Sequence, residues 1–293
     1  PDENDPNKLF FTCGNKRSNY ICISDDKGEN IIQKALPCSV HGNEVGRATG
    51  DRLIYKNGRL YFGSQTAGII YSEDMGESWQ SIDLFGEKNI SLIWTDSEGK
   101  LFIAGCSGEA NSPDGVTRGH TLYCSTDGLK SFVHLTAPEP VRYEKATYYG
   151  FVPQRITSDS RYIYITFASS GEVFYGGMGA YACDTGSLSG GKVYRYRIEN
   201  GVPVFNKDIT PADETPCGYS GICSNGKMLL LSTVCRKNGG DMIYTSTDSG
   251  ESWKIIMNRL EYSRFDWNIP YMKPRYNGGG NCAHWISDIK LSP

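Results

Sequence analysis

The sequence predicts an all-β chain folded as a β-propeller of four-stranded blades, and three observations predict it. A short turn pattern, Ser-x-Asp-x-Gly-x-x-Trp/Ile, recurs along the chain at near-regular spacing. Runs of four to eight apolar-rich residues flank the copies, bounded by Gly, Asn and Asp, as short strands joined by tight turns require. Composition agrees: 34 glycines and 19 tyrosines in 293 residues suit a turn-rich β protein with aromatic surface. A chain of this length buries a large core, and an all-β fold of this size forms one domain, so residues 1–293 are expected to be a single propeller.

The turn copies read Ser24-Asp25-Asp26-Lys27-Gly28-Glu29-Asn30-Ile31, Ser72-Glu73-Asp74-Met75-Gly76-Glu77-Ser78-Trp79 and Ser246-Thr247-Asp248-Ser249-Gly250-Glu251-Ser252-Trp253. A fourth, Ser125-Thr126-Asp127-Gly128-Leu129-Lys130-Ser131-Phe132, has its glycine one place early. The pattern resembles the Asp-box (BNR repeat), a β-hairpin turn of many propellers. Its aspartate accepts backbone N–H bonds inside the turn, and its glycine supplies a positive φ. The closing aromatic or aliphatic residue packs inward as the next strand begins. The motif holds turns in proteins of many functions, so these aspartates are expected to be structural.

The box serines stand at 24, 72, 125 and 246, and the last interval spans two repeats. The blade without a box falls there, with strand Gly191–Ile198, turn Glu199-Asn200-Gly201 and strand Val202–Phe205. A repeat of about 40–60 residues holding four short strands is a propeller blade. Blade two is the clearest: Asp51–Tyr55 is strand A, Arg59–Phe62 B, Gly68–Tyr71 C, and Trp79–Leu84 D after the box. Blade three runs from about Ser91 to Leu135, blade four from about Gln154 to Ile209, and blade five from about Tyr219 to Met257. Blade one starts at strand B, Lys8–Thr12, and its missing A strand reads as Trp285–Pro293, whose apolar residues alternate. Five blades closed by the C-terminal strand are therefore expected, which removes the sheet edge. The opening Pro1–Pro6 reads as the start of a mature domain or an excised module of a larger assembly.

A net charge of −3 gives no nucleic-acid footprint and no polybasic membrane patch, and no apolar run approaches a membrane span. Ten cysteines point to an oxidising, extracellular setting. Cys13 and Cys22 lie in neighbouring strands, as do Cys106 and Cys124, and both pairs are expected to be disulfides. The partners of Cys38, Cys183, Cys217, Cys223, Cys235 and Cys282 stay open. With no C-x-x-C and four scattered histidines, disulfides are favoured over metal binding, and no metal or cofactor is expected. Asn89-Ile90-Ser91 is an N-glycosylation sequon by pattern.

Several segments outside the boxes carry a more specific resemblance. Gly42–Leu53, Gly191–Tyr196, Lys207-Asp208-Ile209-Thr210-Pro211 and Asp241–Asp248 are similar to stretches of the N-terminal propeller of xyloglucan-active, two-propeller glycoside hydrolases. Trp285–Pro293 resembles that family's next A strand. The resemblance implies a propeller fold and a glucan ligand. It carries over no catalytic residue: the family sets one aspartate on each side of a cleft between two propellers, and both would lie outside this sequence. A sialidase reading lacks its Phe/Tyr-Arg-Ile-Pro motif, of which Pro153-Gln154-Arg155-Ile156-Thr157 is a faint echo.

In a propeller the B–C and D–A connections share one face. Here the box turns are short, and the long stretches 38–49, 107–120, 137–152, 169–190 and 258–284 all fall on the other face, where rigid scaffolds carry their binding loops. They are rich in Tyr, Trp and Arg, a mixture that suits sugar rings and protein hot spots alike. The expected contact centres on Tyr262, Arg264, Phe265 and Trp267, flanked by Tyr175, Tyr148 and Arg142. Glu144, Asp184, Glu261 and Asp266 are the loop carboxylates from which a glycosidase pair would be drawn. The reading is an extracellular, non-catalytic recognition module for a protein partner or a plant-type polysaccharide. Its alternative is a glycoside hydrolase acting on xyloglucan or a related β-glucan, or a fragment of one.

Overall fold

A computed structural model describes residues 5–14, 19–38, 52–64, 66–86, 88, 90–106, 121–135, 151–169, 192–212, 218–234 and 242–258. These residues form nineteen strands in five antiparallel sheets, each in sequence order. The first sheet is three-stranded: β1 (Leu9–Gly14), β2 (Asn19–Ser24) and β3 (Ile32–Ala35). Four-stranded sheets follow, of β4 (Leu53–Lys56), β5 (Arg59–Gly63), β6 (Ile69–Ser72) and β7 (Gln80–Ile82), then β8 (Ile90–Thr95), β9 (Phe102–Cys106), β10 (Thr121–Ser125) and β11 (Val133–Leu135). β12 (Phe151–Ser158), β13 (Tyr162–Ser169), β14 (Lys192–Glu199) and β15 (Val202–Asp208) make the fourth. β16 (Gly218–Ser224), β17 (Leu229–Val234), β18 (Met242–Ser246) and β19 (Lys254–Asn258) make the fifth.

Each sheet falls within the span of an expected blade, and among the described residues the first holds three strands. The strand proposed to complete it, Trp285–Pro293, lies outside the described residues. Asn57-Gly58 and Asn200-Gly201 both have positive φ at two successive positions, the primed turn that suits a tight hairpin. Burial grades across a blade: β9 is buried throughout, whereas β3 and β7 are largely exposed. The innermost strands β8, β12 and β16 each carry a register shift, which adds local twist.

The chain divides into two compact units, one holding β1–β11 and the other β12–β19. In the first, Ile21, Ile23, Leu36, Leu60, Phe62 and Ile70 pack between blades one and two, and Ile69, Leu84, Ile93, Phe102 and Tyr123 between blades two and three. In the second, Tyr164, Val193, Ile209, Tyr219, Leu231 and Tyr244 fill the space between blades four and five.

The box turns share one geometry. In blade two the Ser72 hydroxyl donates to Asp74 Oδ1 at 2.8 Å and accepts from the Gly76 N–H at 2.7 Å, while Asp74 accepts from the Ser78 N–H at 2.9 Å and the Ser78 hydroxyl at 2.5 Å. Asp26, Asp127 and Asp248 repeat the arrangement. Two successive residues adopt positive φ in every box, which explains the displaced glycine: Gly128 (φ 74°) takes the first such position and Leu129 (φ 69°) the second. Leu129 packs on the cluster between blades two and three, whereas a Cβ at Gly76 would come within 3.0 Å of Ile21.

One expected disulfide is corrected. In the β9–β10 ladder Cys106 faces Thr121 and Cys124 faces Ile103, so the two cysteines stand three positions apart and project from opposite faces. Cys13 faces Tyr20 and Cys22 faces Phe11, a diagonal pair on one face, and their sulfurs are 2.8 Å apart as a thiol contact.

Candidate functional site

The loop face is described in blade two at residues 64 and 66–68 of the B–C turn and 83–86 and 88 of the link to blade three. β5 ends at Gly63, whose missing Cβ admits Ile90: a side chain there would meet Ile90 Cγ2 at 2.6 Å. The Ser64 hydroxyl accepts the N–H groups of Thr66 at 3.0 Å and Ala67 at 3.1 Å and so closes the B–C turn. That turn is tied to the D–A link, because Gly68 N–H donates to the Lys88 carbonyl at 3.0 Å and Ile90 N–H to the Ser64 carbonyl at 2.9 Å. The Gly63 N–H donates to the Arg52 carbonyl at 2.8 Å, which fixes the start of the innermost strand. Two loops and a strand entrance therefore form one rigid ledge.

At the inner end of the ledge the Arg52 guanidinium lies 5.7 Å from the Phe62 ring centre, next to the buried Cys38. Burial lowers the arginine's pKa and the Cys38 charge opposes that. Burial raises the thiol, against a hydrogen bond from Ser64 and the Arg52 charge. Cys38 is thus held as a thiol and is no nucleophile at neutral pH. At the outer end Leu84 is buried in the core and Phe85 turns outward over blade three. Among the described residues no cluster of three or more His, Cys, Asp or Glu is placed to hold a metal ion.

The described carboxylates with displaced pKa values all move down. Asp26, Asp74 and Asp248 are held at about 2, led by hydrogen bonds from Asn30, Ser78 and Ser252 respectively, and Asp127 is lowered by Ser131. Glu251 is lowered by Lys207 and then Arg195. These groups are committed acceptors within turns and blade contacts, the opposite of a general acid's raised carboxyl.

The residues expected to make the contact, Tyr262, Arg264, Phe265, Trp267, Tyr175, Tyr148 and Arg142, lie outside the described residues, as do Glu144, Asp184, Glu261 and Asp266. Sequence reasoning passed over Arg52, Ser64 and Phe85. Arg52 was absorbed into a strand, and Ser64 and Phe85 sit in connections too short to stand out. The only local trace of one of them is an aromatic directly before a loop glycine, Phe85-Gly86, a pairing with no specific meaning by itself.

The blades and their connections define a β-propeller, and the solved structures it resembles agree. It superposes on the GH74 enzyme of Niastella koreensis with a TM-score of 0.64 at 22% identity, over 87% of this chain and 37% of that one. The GH74 xyloglucanase of Xanthomonas campestris gives 0.63 at 20% identity, over 88% and 37%. Among curated proteins the chain is 25% identical to an oligoxyloglucan-reducing end-specific xyloglucanase of Emericella nidulans, over 98% of this chain and 37% of the relative. It is 23% identical to a xyloglucanase of a Paenibacillus species, over 98% and 28%. The chain thus spans 37% of the length of the first of these relatives and 28% of the second. No protein-family model matches it.

Proposed function

We propose that this propeller binds a plant-type polysaccharide with a β-glucan backbone, xyloglucan above all, through its loop face in an extracellular setting. It acts as the recognition part of a larger polysaccharide-active assembly. The carrying observation is that similarity to xyloglucanases runs over 98% of the chain. The four box aspartates support recognition over autonomous hydrolysis, since they are spent on turns with their carboxyls held low. The contact centres on Tyr262, Arg264, Phe265 and Trp267, with Tyr175, Tyr148 and Arg142 at its flank.

Electrophoresis through gels containing xyloglucan, paired with a reducing-end assay, tests this. Retarded migration without new reducing ends is expected, and Trp267→Ala is expected to weaken binding about thirtyfold. Lys130→Ala, on a box turn, serves as the opposite-face control. Glu251 does not, because it holds Arg195. Unretarded migration overturns the reading. Robust release of reducing ends replaces it with a hydrolase, the second reading that the names of the relatives favour.

A further inference from the structure

Phe85 is the most exposed large hydrophobic residue among those described, at 63%. It follows the buried Leu84 in the link between β7 and β8, so the backbone turns it outward at a fixed point. One ring face is covered: it stacks on Tyr123 at 5.4 Å and 29°, and on His134 at 5.9 Å and 19°. Those two rings are a directly opposed cross-strand pair of blade three, 4.5 Å apart. The ring is therefore oriented from below by a rigid sheet, with its other face open to solvent.

The backbone makes the placement deliberate. Phe85 has φ 51° and Gly86 φ 78°, and a bulky residue rarely adopts that left-handed conformation. The Gly86 N–H donates to Asp83 Oδ1 at 3.0 Å, and the ledge bonds of Ser64, Gly68, Lys88 and Ile90 hold the β8 end of the link. The paired positive φ turns the chain between β7 and β8 and leaves the ring mostly in water, so burial does not account for an aromatic at this position.

We propose that Phe85 is a stacking platform for one neutral hexopyranose ring of a β-glucan chain. The electron-rich ring face attracts the weakly positive C–H bonds of a sugar's axial face. The exposed Asp83 and Lys88 in the same link supply an acceptor and a donor for ring hydroxyls. This rests on the polysaccharide reading above and adds a sugar contact on blade two to the residues proposed there.

The test is isothermal titration of the full chain with a xyloglucan heptasaccharide. Phe85→Ala is expected to lower affinity about tenfold, with Phe85→Tyr retaining it and Phe85→Leu losing it. Thermal melts establish that each variant is folded, and if Phe85→Ala is not, the Tyr and Leu pair decides alone. Wild-type affinity in folded Ala and Leu variants overturns the platform and leaves the polysaccharide reading standing. Absence of binding by the wild type overturns both.

Discussion

The Trp253 indole N–H donates a 2.7 Å hydrogen bond to the carbonyl of Ile209, which closes the preceding blade. The box of blade five is thereby seated on blade four, and its glycine shares the seat. A Cβ on Gly250 would lie 2.5 Å from Ile209 Cδ1 and 3.1 Å from its Cβ, at a φ of 86°. Blade two is docked on blade one by the same residue positions but without the indole hydrogen bond, with Gly76 against Ile21, Trp79 in the shared core and Glu77 paired to Lys34 at 2.8 Å. The box is thus a joint between blades as well as a turn within one. Gly250→Ala is expected to destabilise by about 2–4 kcal/mol, combining strain with overpacking, and Trp253→Phe by about 1 kcal/mol for the lost bond. Urea unfolding monitored by tryptophan fluorescence and circular dichroism checks both. Equal stability of Gly250→Ala and wild type would remove the joint from the account.

Arg195 is the polar half of that joint. Its side chain is 7% exposed and donates to Asn206 Oδ1, the Ser249 carbonyl and Glu251 Oε1, each at 2.8 Å, with Tyr162 beneath it at 4.5 Å. Lys207 reaches the other Glu251 oxygen from the surface. Arg195→Ala removes three bonds and the stacking contact and is expected to cost about 2–3 kcal/mol, whereas exposed Lys207→Ala costs under about 1 kcal/mol. Thermal unfolding of the two variants side by side is the measurement. A larger loss for Lys207→Ala would show that the surface pair, not the buried guanidinium, holds the blades.

How far the sequence carries this fold depends on what each signal encodes. Ser-x-Asp-x-Gly specifies local hydrogen bonds, so the turns and the strands beside them are legible to within a residue or two, as β4–β7 show. Register is not local. The apolar runs put Cys106 and Cys124 on neighbouring strands, but the register that sets them on opposite faces is written in neither segment. The Arg195–Glu251 pair spans 56 residues and leaves no mark in either neighbourhood. Of the loop face, composition announces aromatics and arginines near 262–267, but which side chains converge is a property of long connections and not of any periodicity. Phe85 escapes for the opposite reason: its role comes from a φ value and from two rings on another blade.

The box carboxylates make acid stability predictable in sign. Asp26, Asp74 and Asp248 titrate near 2 in the folded chain against 3.8 for an unperturbed aspartate. A group depressed on folding stabilises above its unfolded pKa, and the contribution is lost as pH falls through the folded value. Stability is therefore expected to hold down to about pH 4 and to fall between about pH 4 and pH 2. Asp74→Asn is expected to flatten that decline, since one of the titrating groups is gone. Urea midpoints at neutral pH, pH 4 and pH 2.5 for both proteins check it, and an unchanged slope in the variant would assign acid sensitivity elsewhere.

Cysteine chemistry separates the two expected disulfides. The Cys13 and Cys22 sulfurs meet at 2.8 Å across β1 and β2, and the Cys22 thiol is pushed up to about 12 by burial and by its hydrogen bond to Cys13. Thiols so placed lose two electrons and two protons to an oxidant such as molecular oxygen and join with little backbone movement. We expect non-reducing mass mapping of secreted protein to recover a Cys13–Cys22 link and no Cys106–Cys124 link. Closing so short a loop is expected to add about 2–3 kcal/mol, read as the loss in Cys22→Ser against the oxidised wild type. Cys124 is buried with its thiol raised to about 11 by desolvation, so iodoacetamide is expected to label it only after unfolding. A recovered Cys106–Cys124 peptide would mean that the β9–β10 register differs in solution, whereas free thiols at Cys13 and Cys22 in secreted protein would overturn the link.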